Sequence, residues 1–213
     1  RYIVQECMKY KSFKYLKTDV PQKFGCYYRG MGIIAKPDLE TVVKDTFDYL
    51  TDEKYLNIPP KDLCIKISSK DDDLVKATEI IDGEITRLVE QSSTEHYRHQ
   101  YGMDEKNIFG RDFNIGLRKK DTNEFLNFAA FVVMENNDRK LAIDMGISNL
   151  VLSMCKFGTS STVASSRIAD FLDIDCIIKE KFADALVAVS ILLKEDITNH
   201  RSKHLRMKFN QYL

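Results

Sequence analysis

The longest apolar run, Phe125 to Met134, is nearly unbroken and rich in aromatic and β-branched residues. It is too short to span a bilayer, so it predicts a buried strand. Glu135-Asn136-Asn137-Asp138-Arg139 then reads as a turn, because Asn and Asp bond their own backbone and tolerate positive φ. Leu141 to Met145 resumes as a second strand, which predicts an antiparallel hairpin. Gly146 is expected to end that strand. Beyond it Ile147, Leu150, Val151 and Met154 recur at helical spacing.

Earlier in the chain, Arg1 to Met8 patterns as a strand with mixed faces, and Gly25 to Ile34 as another. Gly30 and Gly32 in the latter point to a bulge or a close backbone approach. Between them Lys9 to Lys23 is basic and aromatic and is expected as a solvated loop. Pro37-Asp38 opens a helix whose Leu39, Val42, Val43, Phe47 and Leu50 form one apolar stripe. Leu63 to Ile67 alternates as a strand. Ser68-Ser69 is expected to cap a following helix, with Asp71, Asp72 and Asp73 in its first turn, where the helix dipole favours carboxylates. Ile85 to Glu90 and Phe113 to Leu117 read as further strands. Gly158 to Ser166 is rich in serine and threonine and reads as a linker. After it, Ile168 to Lys194 is helical in pattern, with a stripe of Phe182, Leu186, Val189, Leu192 and Leu193. The expected organisation is an α+β domain over 1–157, a linker over 158–166 and a helical extension over 167–213.

Composition narrows function mainly by exclusion. Thirty-two basic and thirty-two acidic residues cancel, so no global field demands nucleic acid or a membrane. No apolar stretch is long enough for a membrane span, and the chain has no secretory leader pattern. The five cysteines are scattered without a CxxC pair, as expected of a reduced, cytoplasmic setting. His96 and His99, and likewise His200 and His204, have helical spacing but no third ligand nearby, so no metal site is expected. No phosphate-binding glycine loop, dinucleotide fingerprint or nucleophile elbow occurs. The basic patch is at the end: Arg201, Lys203, Arg206 and Lys208, with no acid from 201 to 213, are candidates for phosphate contact with RNA.

The order of these segments resembles the catalytic domain of the alanyl-tRNA synthetase family, a class II aminoacyl-tRNA synthetase. Gln5-Glu6-Cys7-Met8-Lys9 is similar to the family's SQ(R/K)C(M/I)R, and Cys26 to Gly32 (CYYRGMG) to its TFFEMLG. Ile58 to Asp73 (IPPKDLCIKISSKDDD) is similar to LPKERLYVTVFEDDDE. Leu126-Asn127-Phe128 is similar to the WNLVF strand, and Asp144 to Leu150 (DMGISNL) to GMGLERL. The resemblance implies an α+β fold: a mixed, mainly antiparallel sheet of class II synthetase type, flanked by helices, with a C-terminal helical extension. It also implies a site for ATP with Mg and an amino acid, a tRNA acceptor and a homodimer.

Onto that site the resemblance carries Lys9 and Arg29 as catalytic candidates and Asn127, Asp144 and Asn149 as nucleotide or amino-acid contacts. The sequence departs from the family at these positions. The second motif's arginine falls at Lys9, which keeps charge but not the planar fork that grips phosphate. The GLER arginine falls at Asn149. The substrate-amine aspartate falls at Ala142, unless a two-residue shift brings in Asp144. Arg29 stands where the family has an acid. The expected protein is therefore a synthetase relative with alanine activation weak or lost. The alternative is a non-catalytic module that binds RNA or a protein partner.

Overall fold

The computed structural model describes residues 1–16, 18–91, 98–100, 108–137, 139–171 and 179–194. The fold is α+β. Its strands are β1 (Tyr2–Met8), β2 (Tyr27–Ala35), β3 (Leu63–Ser68), β4 (Thr86–Glu90), β5 (Arg98–Gln100), β6 (Phe109–Arg118), β7 (Phe125–Asn136) and β8 (Arg139–Ser148). The helices are α1 (Leu39–Thr51), α2 (Asp72–Ala77), α3 (Asn149–Phe157), α4 (Thr162–Ser166) and α5 (Lys179–Lys194). The strand order is β1-β2-β8-β7-β6-β3-β4, with β5 paired to β6. The β3–β6, β5–β6, β6–β7 and β7–β8 pairs are antiparallel, and β3–β4 is parallel. This is the mixed, mainly antiparallel sheet with flanking helices that the resemblance implies.

The chain forms two compact units. The first comprises Arg1–Val4 and Met31–Ser148. Its core lies on one face of the strands, where Ile65, Ile67, Phe113, Ile115, Phe131 and Ile143 are fully buried. Register explains the clustering: Ile67 lies opposite Phe113, and Phe113 opposite Phe131, so their side chains share a face. The two rings stack at 4.7 Å between centroids. Helix α1 forms where the pattern predicts it. Asp38 caps it by accepting the Thr41 N–H, and Val42, Val43, Phe47 and Leu50 are buried.

Several local expectations change. β8 does not stop at Gly146 but runs to Ser148, since the position opposite Ala130 asks nothing of a side chain. Helix α3 accordingly starts at Asn149, and Ile147 belongs to the strand. Helix α2 is preceded by Asp71, not by the serines, while Ser68 turns back to accept the Lys70 N–H. Gly32 is the close approach anticipated for β2. A Cβ there would lie 2.0 Å from the Met145 carbonyl oxygen.

The second unit comprises Gln5–Gly30 and Asn149–Leu213. The basic stretch after β1 is folded: a 3-10 helix over Tyr10–Tyr15 buries Phe13 with Cys26, Ala188 and Leu192. The serine-rich stretch is also folded. Ser161 caps α4 by accepting the Ala164 N–H, and Ser161, Thr162 and Val163 are all buried. Helix α5 buries Ala183, Asp184, Ala188 and Leu192. Its larger apolar residues, Phe182, Leu186 and Leu193, are exposed instead. Among the described residues no helix is long and apolar enough to cross a membrane.

Candidate functional site

Three of the anticipated residues, Lys9, Arg29 and Asn149, lie in the second unit. Lys9 follows β1 directly, and its backbone N–H donates to the Cys26 carbonyl at 2.7 Å. Its ammonium lies 4.7 Å from the centre of the Phe24 ring and 5.5 Å from that of Tyr28. Both distances are within cation–π range. Burial pulls the Lys9 pKa down from its ordinary value.

Arg29 lies on β2 across from Glu6 on β1. Nη2 and Nε reach the same Glu6 oxygen at 2.8 and 3.2 Å. The pair is half exposed, so its worth is screened. Glu6 is held below the usual carboxylate range, first by a hydrogen bond from Tyr27 and also by Arg29. The Tyr27 hydroxyl is pushed up to about 12, chiefly by burial.

Asn149 begins α3 immediately after β8. Its side-chain oxygen accepts the backbone N–H of Arg29 at 3.0 Å. Asn149 therefore ties the start of a helix to a strand.

The other two residues lie in the first unit, and strand geometry puts them on one face. Asp144 is opposite Val132, which is itself opposite Asp112. The neighbouring row across the strands is Lys66, Asn114, Ala130 and Gly146. Asn127 is an odd number of residues from Val132, so in a regular strand it would point to the opposite, hydrophobic face. A bulge prevents this. Ile115 pairs with Ala129 but Gly116 pairs with Asn127, leaving Phe128 as the extra residue. A Cβ on Gly116 would meet Cys64 Sγ at 2.7 Å and Asn127 Oδ1 at 3.6 Å, which puts Asn127 on the polar face.

Ala142 and Asp144 also share that face, because a shift of two residues along a strand preserves the side. Arg201, Lys203, Arg206, Lys208, His96, His200, His204 and Cys176 lie outside the described residues.

Two polar constellations were not anticipated. In the first unit Arg111 is the hub. It makes paired bonds to Glu135 at 2.6 and 2.8 Å and to Asp73 at 2.7 and 3.1 Å, and reaches Asp71 at 3.2 Å. Arg98 grips Asp71 with two bonds of 2.9 Å, and Lys140 meets Asp73 at 2.6 Å. Asp71 and Glu135 are buried, so this network carries their desolvation. The Arg111 guanidinium holds the Asp73 carboxyl well below the usual range. Asp72 and Asp73 lie in the first turn of α2 as expected, and Asp71 and Asp73 are held by these cations as well.

In the second unit Asp184 of α5 is buried and accepts the Cys26 N–H with both oxygens, at 2.7 and 2.9 Å. The Gln22 amide adds a bond of 3.2 Å. Burial pushes the Asp184 pKa up despite these donors. Gly25 makes room, since a Cβ there would lie 2.6 Å from Asp184 Oδ1. The Gly25 N–H donates to Thr162 at 2.8 Å. The sequence signal was an aspartate set among small apolar residues of a helix. Among the described residues no group of three His, Cys, Asp or Glu side chains is placed to hold a metal ion.

No protein-family model matches the chain, and no curated protein matches it. Among solved structures it is similar to apo histidyl-tRNA synthetase of S. aureus, at 10% identity and a TM-score of 0.39. The match covers 99% of this chain and 60% of that one.

Proposed function

We propose that the chain is a class II synthetase-like module in which aminoacyl-adenylate formation is lost, and that it acts by binding RNA in the cytoplasm. The observation that carries this is the engagement of Asn149. Where the resemblance expects an arginine, a neutral amide is bound to the backbone N–H of Arg29. The cation of Arg29 is in turn spent on Glu6, and that of Lys9 lies against two aromatic rings. Adenylate formation builds negative charge on the α-phosphoryl group and depends on fixed donors aimed there. Removing one such donor costs about 10²–10³ in rate, and a charge-assisted bond is roughly twice as strong as a neutral one. The basic run of Arg201, Lys203, Arg206 and Lys208 supplies the phosphate-contacting chemistry for RNA.

Pyrophosphate exchange with ATP, Mg and each amino acid in turn, alanine first, tests the catalytic half. No exchange above background is expected, and exchange with any amino acid overturns the proposal. Gel shift with total tRNA at low and moderate salt tests the binding half. A shift that weakens with salt is expected; none at either salt removes RNA. Sedimentation tests the homodimer that the resemblance implies.

A second reading retains ATP or an adenylate, with an amino acid, as ligand without turnover. It is favoured by the bulge that brings Asn127 to the face of Asp144. Calorimetry with millimolar ATP and Mg distinguishes it, since heat of binding without exchange supports this reading.

A further inference from the structure

Asp184 is only 5% exposed, and it lines a small pocket in the second unit. The groups that hold its carboxylate are the N–H of Cys26, the N–H of Tyr27, the Gln22 amide and the Cys26 thiol. All of them are neutral. Among the described residues no lysine, arginine or histidine pairs with it. A buried carboxylate is ordinarily matched by a cation, because neutral donors restore only part of the hydration it has lost.

The pocket offers a place for that cation. Counted out to its open mouth it measures about 230 Å³, and its interior has room for one water-sized group. That is small for a nucleotide or a drug-sized ligand. An ammonium head is about the size of a water. The walls are apolar, with Leu150 of α3, Val163 of α4, Ile168, and Val187 of α5. The other polar side chains on the lining are engaged elsewhere. The Ser166 hydroxyl donates to the Val163 carbonyl at 2.6 Å, and the Tyr27 hydroxyl bonds Glu6. A bound metal would need three or four ligands, and no such group is found among the described residues.

We propose that this pocket binds a small primary amine as its ammonium ion, with Asp184 as counter-ion and the apolar walls around a short alkyl group. A free amino acid lacks the right chemistry, because its own carboxylate would meet Asp184 with no cation on the lining. Such binding requires neither RNA nor ATP, so it stands apart from the function proposed above.

Thermal unfolding of the full chain in rising ethylammonium chloride tests this. Alanine and tetramethylammonium chloride at equal ionic strength are the comparisons. Ethylammonium should raise the melting temperature along a saturating curve. Tetramethylammonium has no N–H to donate and should not, nor should alanine. Burial raises the Asp184 pKa, so lowering the pH from about 8 to about 4 should weaken ethylammonium about tenfold or more. The titratable groups facing Asp184 stay neutral across that range, since burial pushes up both the Cys26 thiol and the Tyr27 hydroxyl, the latter to about 12. Val187→Phe fills the pocket while leaving Asp184 and its donors in place, and it should abolish the saturating shift. Asp184→Asn should do the same; if that variant does not fold, Val187→Phe decides. A shift shared equally by both ammonium salts overturns the proposal, as does one that Val187→Phe retains. Alanine acting as well as ethylammonium also overturns it. No shift in the unaltered chain means that the pocket takes water only, and the proposal fails.

Discussion

The side-chain oxygen of Asn149 accepts the backbone N–H of Arg29 at 3.0 Å, fixing the first residue of α3 to β2. An alanine at 149 removes that acceptor. Asn149→Ala should lower stability by about 1 kcal/mol, the usual net value of such a bond. Asn149→Asp should retain most of it. Urea unfolding of both variants is the measurement, and equal midpoints for Ala and the unaltered chain would contradict the assignment.

Arg111 joins three carboxylates, and Asp71 and Glu135 among them are buried. Arg111→Met should cost about 3–5 kcal/mol, since it strands buried charge. The same site sets an acid limb. The folded pKa of Asp73 lies below its ordinary 3.8, chiefly through Arg111. Its contribution is therefore complete above about pH 4 and is lost as the pH falls below that. Stability measured from pH 5 downward should decline more gently in Arg111→Met than in the unaltered chain.

Asp184 works in the opposite sense. Burial raises its folded pKa above 3.8. The protonated carboxyl thus favours the folded chain, and that advantage disappears as the pH rises through the raised value. Asp184→Asn removes the titration and should flatten the loss of stability above pH 4. Asp184→Ala should cost about 1–3 kcal/mol at any pH, because the buried Cys26 N–H loses its acceptor. Thermal unfolding across a pH series separates the two variants.

Gly32→Ala should prevent β2 from pairing with β8. The added carbon meets a carbonyl oxygen of the neighbouring backbone at 2.0 Å, and no side-chain rotation relieves that. Circular dichroism should show an unfolded chain, or one unfolding at much lower urea. Gly83→Ala is the control, because a Cβ there meets nothing within 4 Å.

What the sequence revealed follows from the kind of interaction involved. The β7–β8 hairpin is legible because a buried strand must be apolar throughout and its turn needs Asn or Asp. Helix α1 is legible because one face alone is covered and Asp38 marks its start. The Arg111 network is not, since it joins Asp71 to Glu135 through tertiary pairing that no local pattern encodes. The bulge at Phe128 is invisible for the same reason: a strand acquires an extra residue only relative to its neighbour. The packed side of helix α5 is not legible, because periodicity shows which side chains are apolar but not which face the core: of the stripe only Leu192 is buried, beside Ala183, Asp184 and Ala188. There small residues face inward to admit Asp184 and Phe13. For the candidate site, Lys9, Arg29 and Asn149 are named by resemblance, and the bond between Arg29 and Asn149 and the rings around Lys9 require coordinates. Asp184 went unnoticed because nothing in the helical pattern announces the amides of Gln22 and Cys26 that it meets.

The unmatched residue of β7 also bears on how the sheet tolerates changes of length. Phe128 faces no partner on β6, so deleting it would leave Ala129 opposite Ile115 and Asn127 opposite Gly116. Deleting a residue farther along the strand would instead turn the part beyond it inside out. Leu141 holds the equivalent position in β8, between the Met134–Ala142 and Glu135–Lys140 pairs. Insertions and losses of single residues in this hairpin are thus confined to two places, and the division between greasy and polar surfaces survives them.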